Sequence, residues 1–291
     1  MNYSTFQTVI MDRLERDIPD PKHISIQQVT KNNGIVLDGL SIMENDCNIS
    51  PTLYKHGVAF QDVYQSLLRD YQNHRPSGNI DPSFFTDFSN IRDKIALKLI
   101  HYERNKILLK DVPHIRFLDL AIVFYCLINM DITQGSATIL IHHSHLKNWN
   151  MQTDDLFVIA KKNTQQILPE KLYDMNDVLH ELTDKSQHVS DDCCCEVPYP
   201  MFVLTNESNL FGAACIIYPN LLQHYAAEAQ TDFYILPSSI HEVILVPTLE
   251  NSDYQELSEM VQEVNDTQLQ DDEILSTHAY YYSRKENEIT M

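Results

Sequence analysis

The hydrophobic pattern begins with a helix. Phe6, Val9, Ile10 and Leu14 recur at three- and four-residue spacing, which places them on one stripe of an α-helix. Pro19 and Pro21 end it. The period then changes to two. His23-Ile24-Ser25-Ile26 alternates, Lys31-Asn32-Asn33-Gly34 supplies residues that tolerate positive φ, and Ile35-Val36-Leu37 resumes the apolar run. This predicts a β-hairpin over 23–43. A second helical stretch opens at Pro51, carries Val58, Val63, Leu67 and Leu68, and ends near His74 before a loop at 75–79. Phe84, Phe85 and Phe88 predict a short helix, and 95–101 a strand with Ala96, Lys98 and Ile100 on one face. A helical turn follows over 104–109, stopped before Pro113.

Residues 114–129 are mostly apolar, rich in β-branched and aromatic side chains, and predict one buried strand. A turn at 131–135 and a strand over 137–142 complete a second hairpin. Helical spacing returns over 154–167 with Leu156, Phe157, Ile159, Ala160 and Ile167, behind Thr153 as an N-cap, and a further helix is expected over 171–182. Residues 183–200 are polar and bounded by proline, the pattern of a linker. Beyond it, 201–205 and 213–217 read as two short strands or a strand and turn, 233–236, 243–246 and 279–282 as short strands, and 221–229 as a helix. Residues 254–264 form an acidic amphipathic helix with Leu257, Met260, Val261 and Val264 on one face. The mixed order, with hairpins, predicts an α+β protein with mixed or antiparallel sheets and flanking helices. Two lobes are expected, 1–182 and an acidic 201–291, joined by 183–200.

Composition adds class. The 291 residues are 43% hydrophobic, a globular rather than disordered balance. The formal charge is −20, which argues against broad nucleic-acid or anionic-membrane binding, since both need clustered Lys and Arg. That charge is concentrated. Between Lys185 and Arg284 there is no Lys or Arg, and residues 186–283 contain 16 Asp or Glu. An acidic C-terminal surface for a basic partner is the sharp reading; a solvated helical face is the bland one. Glu256, Glu259 and Glu263 are the residues of that surface. Only 6 glycines occur, too few for a glycine-rich phosphate loop. The N-terminal residues lack the apolar core of a signal peptide, and the longest apolar run, 118–130, is too short and too polar to span a bilayer. A cytoplasmic protein is expected. The six cysteines, three of them consecutive at 193–195, form no spaced disulfide framework and are expected to be reduced.

The chemical templates fail in turn. His142-His143-Ser144-His145 is the densest histidine group. On an extended segment His143 and His145 share a face, and with Cys193, Cys194 and Cys195 they could bind zinc, but no C-x-x-C spacing supports it. His241-Glu242 and His180-Glu181 each lack the second histidine of H-E-x-x-H. The turn from Ser238 to Glu242 offers Ser239, His241 and Glu242 as an acyl-transfer set, but adjacent positions rarely converge as nucleophile and base, and its S-x-x-E pattern fits a helix capping box better. Arg104 could bind a small anion or assist that set. No cofactor is expected.

Several segments carry a family likeness. They are Asn32-Asn33-Gly34-Ile35, Asn48-Ile49-Ser50-Pro51-Thr52, His101-Tyr102-Glu103-Arg104-Asn105-Lys106, Val112-Pro113-His114 and Asp119 to Phe124. His145-Leu146 with Trp149, Met201 to Asn206 through Phe211 to Ala214, Phe233 to Val243, and Glu263 to Ser276 complete the set. Together they resemble domain of unknown function number 5688, a bacterial family of gut Clostridia and related Firmicutes. The C-terminal order is weakly similar to domain of unknown function number 1444. The resemblance implies no activity, cofactor or catalytic residue. The leading expectation is a non-enzymatic cytosolic accessory or interaction protein of a bacterium or its mobile elements, with a basic protein as partner. The alternatives are a hydrolase using the Ser238–Glu242 turn and a metal-binding protein using His143 and His145.

Overall fold

Asn2 caps the first helix by accepting the Thr5 N–H at 2.8 Å, and α1 (Tyr3–Asp17) buries Ile10 and Leu14. The computed structural model describes residues 2–18, 21–44, 52–53, 60–73, 83–128, 138–177, 200–248 and 254–291. The hairpin expected over 23–43 is present as β1 (Pro21–Thr30) and β2 (Val36–Glu44), joined antiparallel, with β3 (Thr52–Leu53) on the outer edge of β2. Ile10, Leu14, Ile24, Leu40 and Ile42 pack with Val63, Tyr64, Leu67 and Tyr71 of α2 (Phe60–Asn73) into one apolar cluster. Burial of these residues, about 1.5–3 kcal/mol for each fully buried large side chain, holds this unit together. The loop predicted at 75–79 and the turn at 131–135 lie outside the described residues.

Two compact units divide the chain. One comprises 1–31, 35–90 and 129–137; the other comprises 32–34, 91–128 and 138–291. The second unit contains two sheets. In the smaller, β6 (Leu120–Leu127) is buried along its whole length. It pairs antiparallel with β4 (Ile95–His101) on one edge and with β5 (His114–Phe117) and then β7 (Thr138–Leu140) on the other. The single strand expected over 114–129 is therefore a tight hairpin. Phe117 faces Leu120, and the two-residue turn between them holds Leu118 at φ 55°. Apolar residues on both sides conceal the turn, and Leu118 lacks the Gly or Asn that would announce it.

The larger sheet runs β13-β12-β10-β11-β9-β8, all antiparallel. Its strands are β8 (Glu170–Asp174), β9 (Phe202–Asn206), β10 (Phe233–Pro237), β11 (Val243–Pro247), β12 (Tyr280–Ser283) and β13 (Glu288–Thr290). The helix expected over 171–182 begins instead as strand β8. Most of the expected linker, through residue 199, lies outside the described residues, and the strands flanking it pair directly, Glu170 opposite Asn206 and Asp174 opposite Phe202. Residues 213–217, expected as a strand or turn, lie in a buried 3₁₀ helix, Gly212–Ile217.

The short helix expected around Phe84, Phe85 and Phe88 is two, α3 (Ser83–Thr86) and α4 (Phe88–Ile91), and the second unit's sheets are accompanied by α5 (His143–Trp149), α6 (Thr153–Ile167), α7 (Leu221–Ala229) and α8 (Tyr254–Thr267). Thr164 is buried on α6, where its hydroxyl donates to Ala160 O at 2.6 Å and accepts the Leu97 N–H at 3.0 Å, tying the helix to β4. The architecture is α+β. No helix among the described residues is long and apolar enough to cross a membrane.

Candidate functional site

The β5–β6 hairpin brings Asp119 to its tip. His101, the last residue of β4, pairs with Leu120, so its ring stands beside that carboxylate, and Asp119 O accepts the Tyr102 N–H at 2.9 Å. From the C-terminal segment, Tyr280 OH donates to Asp119 Oδ1 at 2.6 Å and Ser276 Oγ donates to Oδ2 at 2.8 Å. Two imidazoles converge on Oδ2: His278 Nε2 at 3.6 Å and His101 Nε2 at 3.9 Å. The side chains of His101, Asp119 and His278 are 12%, 13% and 29% exposed. Burial, with the Asp119 charge next, raises the Tyr280 hydroxyl's pKa and keeps it a donor.

The tautomer of His101 follows from its neighbours. Its Nδ1 accepts the Arg104 backbone N–H at 3.2 Å, so the neutral ring carries its proton on Nε2, toward Asp119. Burial lowers the pKa of His101; Asp119 opposes this, while Arg104 and His278 reinforce it. Nδ1 is thus engaged by the backbone, while Nε2–H points toward Asp119 Oδ2 from 3.9 Å, beyond hydrogen-bond distance. The same tautomer leaves no Nε2 lone pair for a metal. Among the described residues, no three His, Cys, Asp or Glu side chains are grouped to hold one.

Asparagines extend this arrangement. Asn105, 1% exposed, donates to His101 O at 2.8 Å and Asn33 Oδ1 at 3.0 Å, and its own Oδ1 accepts the Asn33 N–H at 2.9 Å. Asn33 Nδ2 reaches the carbonyls of Asp271 and Ile274, each at 2.8 Å, and Asn32 Nδ2 reaches that of Asp272 at 2.8 Å. Asn265 Nδ2 donates to Ser276 O at 2.8 Å.

The Ser238–Glu242 turn is organised differently from the expected capping box, because β11 rather than a helix follows it. Ser239 Oγ accepts the His241 N–H at 3.0 Å, and Ser238 Oγ donates to Glu242 Oε1 at 3.3 Å. The short Ser-to-backbone bond serves a hairpin turn as readily as a helix end. The ring of His241 stacks on Phe211, with centroids 5.5 Å apart and planes at 13°, and its Nδ1 lies 3.2 Å from Phe211 N and 3.1 Å from Asn209 O. Ser239 and His241 therefore find their partners within the fold. Arg104 is exposed and stands with His101, in the turn after β4.

His143 and His145 lie in the first turn of α5, where residues two apart point roughly 200° away from each other, so the shared extended face is absent. His145 Nδ1 accepts the His142 N–H at 3.0 Å and its ring stacks on Trp149; His142 Nδ1 lies 2.7 Å from Asp111 Oδ2. Cys193, Cys194 and Cys195 lie outside the described residues. On α8, Leu257, Val261 and Asn265 face inward while Glu256, Glu259 and Glu263 are exposed. Met260, expected on the apolar face, is 36% exposed, and Asn265 occupies the next inward position.

Two described cysteines are structural. Burial pushes the thiol of Cys126 up to about 11 and that of Cys215 up to about 12, and Cys215 Sγ donates to Thr205 O at 3.1 Å. A thiol reacts as its thiolate. Neither is expected to alkylate in the native protein at pH 8 over the time an exposed thiol reacts fully. Mass spectrometry finding label on either peptide before denaturation contradicts this.

No curated protein and no solved structure matches the chain. A family model described as "Family of unknown function (DUF5688)" matches residues 3–284. With the match spanning nearly the whole length, the chain belongs to that family.

Proposed function

We propose that the protein is a non-enzymatic accessory or interaction protein of a bacterial cell or its mobile elements, working in the cytoplasm, and that it holds a basic protein partner on the acidic face of α8. One observation carries this reading. Glu256, Glu259 and Glu263 stand exposed along one side of the helix, and among the described residues no ion pair neutralises them. The nearest cations in the sequence are Lys185 and Arg284. Like charges at three- and four-residue spacing weaken a helix slightly, and an opposing surface of Lys and Arg would relieve that repulsion. The engagement of Ser239 in its own turn, and of the His241 ring by Phe211 and Asn209, favours this reading over a hydrolase.

The experiment is a charge reversal. Proteins captured from native lysate by the wild-type chain are measured again against the triple variant Glu256→Lys, Glu259→Lys, Glu263→Lys. Because all three side chains are exposed, the variant is expected to keep its melting temperature within about 2 °C. Its affinity for the captured partner is expected to fall at least about tenfold, and wild-type binding to weaken with added salt. Equal binding by the two proteins sinks the proposal, as does the absence of any reproducible partner.

A further inference from the structure

We propose that Asp119, His101 and His278 form a proton-operated latch, which fastens residues 270–280 to the tip of the β5–β6 hairpin and releases them as the pH falls through the range where imidazole takes up a proton. Several sets of hydrogen bonds hold the segment. Ser276 and Tyr280 donate to the Asp119 carboxylate; Asn33 and Asn32 donate to carbonyls at 271, 272 and 274; Asn265 donates to Ser276 O; and Ile240 N donates to Glu273 O at 2.9 Å. Of these only the Asp119 group has imidazoles beside it.

The charges around it are countable. From β4 and the turn after it come His101, Glu103 and Arg104; from the hairpin, Asp119 and Arg116, whose Nε donates to Leu118 O at 3.2 Å; from the segment itself, His278 and Tyr280, with Asp271, Asp272 and Glu273 earlier in it; from α8, Tyr254, whose hydroxyl donates to Ala279 O at 3.0 Å. Glu103 is exposed and paired with Lys106. Asp119 can compensate one imidazolium. Two of them beside Arg104 leave a net positive charge around a largely buried carboxylate, where screening by water is weak.

A second effect is geometric. A protonated ring has no acceptor, so charging His101 turns its Nδ1 into an N–H that faces the Arg104 N–H, and the bond closing that turn is lost. The lowered proton affinity of His101 has the sign this requires. A histidine whose folded pKa lies below its unfolded value, near 6.5, contributes its full stability above that value and loses it as the pH falls toward the folded one.

Hydrogen exchange of the full chain, read by mass spectrometry and corrected for intrinsic rates, tests the latch. Peptides covering 270–280 are expected to lose protection at least tenfold between pH 7.5 and pH 5.5, reversibly, while those from β4, β6 and α6 keep theirs. The variant His101→Gln with His278→Gln, which cannot titrate there, is expected to lose most of that pH response. Asp119→Asn is expected to show the loosened segment already at pH 7.5. Unchanged protection across the pH range overturns the latch, as does an equal loss in every peptide. A double-glutamine variant that responds like the wild type overturns it too. None of these readouts involves a partner, so the latch and the acidic docking face stand or fall separately.

Discussion

Replacing Gly212 with alanine is expected to destabilise the second unit by about 3 kcal/mol, at the upper end of ordinary overpacking. A Cβ at this position would lie 2.2 Å from Thr205 Oγ1, 2.5 Å from His241 O and 2.9 Å from Asn206 N. The first of these can rotate away, though only by giving up its 2.8 Å hydrogen bond to His241 O. The other two are backbone atoms and cannot. Gly212 begins the buried 3₁₀ helix exactly where that helix crosses the end of β9 and the turn before β11, so relief would require moving a strand end. Chemical denaturation of Gly212→Ala beside the double variant Gly212→Ala with Thr205→Ala separates the contributions. The double variant is expected to recover less than half of the loss, since the backbone clashes remain. A single variant with the wild-type midpoint would show that the close approach is not there.

Local period was a good guide where one face of an element is buried and the other is wet. It marked α1, the β1–β2 hairpin, α6, α7 and α8. It failed where burial is nearly complete. Residues 114–127 are apolar enough that two strands read as one, because a turn made by Leu118 and Asp119 has only one polar residue to show. Gly212–Ile217 is buried through Ile216, leaving no polar face to give its period. Ser239 shows the limit of motif chemistry: the same hydroxyl-to-backbone bond closes a hairpin turn or caps a helix, and only the following strand decides.

The Asp119 group was less legible still. His101, Asp119, Ser276, His278 and Tyr280 come from three distant parts of the chain, and no local spacing announces that they meet. The available signal was negative. Asp119 interrupts an apolar run, and Asn265 takes the place of an apolar residue on the inner face of α8. Polar residues at inward positions need partners, and here the partners define the site. Met260 is the converse case, an apolar residue placed in the core by its helical phase that sits instead at the border of the exposed face.

Asn33 is the one member of this network whose role could be read in advance, as a residue tolerating positive φ, and its replacement carries the second large expected effect. Its φ is 59°, its side chain makes hydrogen bonds to Asp271 O, Ile274 O and Asn105 Nδ2, and its N–H is held by Asn105 Oδ1. Asn33→Gly keeps the left-handed backbone accessible and removes the side-chain bonds. With about 1 kcal/mol for each of the two part-buried bonds and less for the exposed one, the loss is expected to be about 2 kcal/mol. Asn33→Ala removes the same bonds and leaves a Cβ in the left-handed region without the asparagine side chain that makes this conformation tolerable, about 1 kcal/mol more, for about 3 kcal/mol in all. Urea denaturation of the two variants checks the difference between them, which is more secure than either value alone. Equal losses would remove the backbone conformation from the account, and wild-type stability in both would remove the hydrogen bonds. Because Asn33 holds residues 271 and 274 without any titratable group, either variant should also loosen that segment at neutral pH while leaving the imidazoles at Asp119 in place. The remaining attachment then falls more heavily on the Asp119 group, and the pH response of residues 270–280 is expected to become steeper in Asn33→Gly than in the wild type.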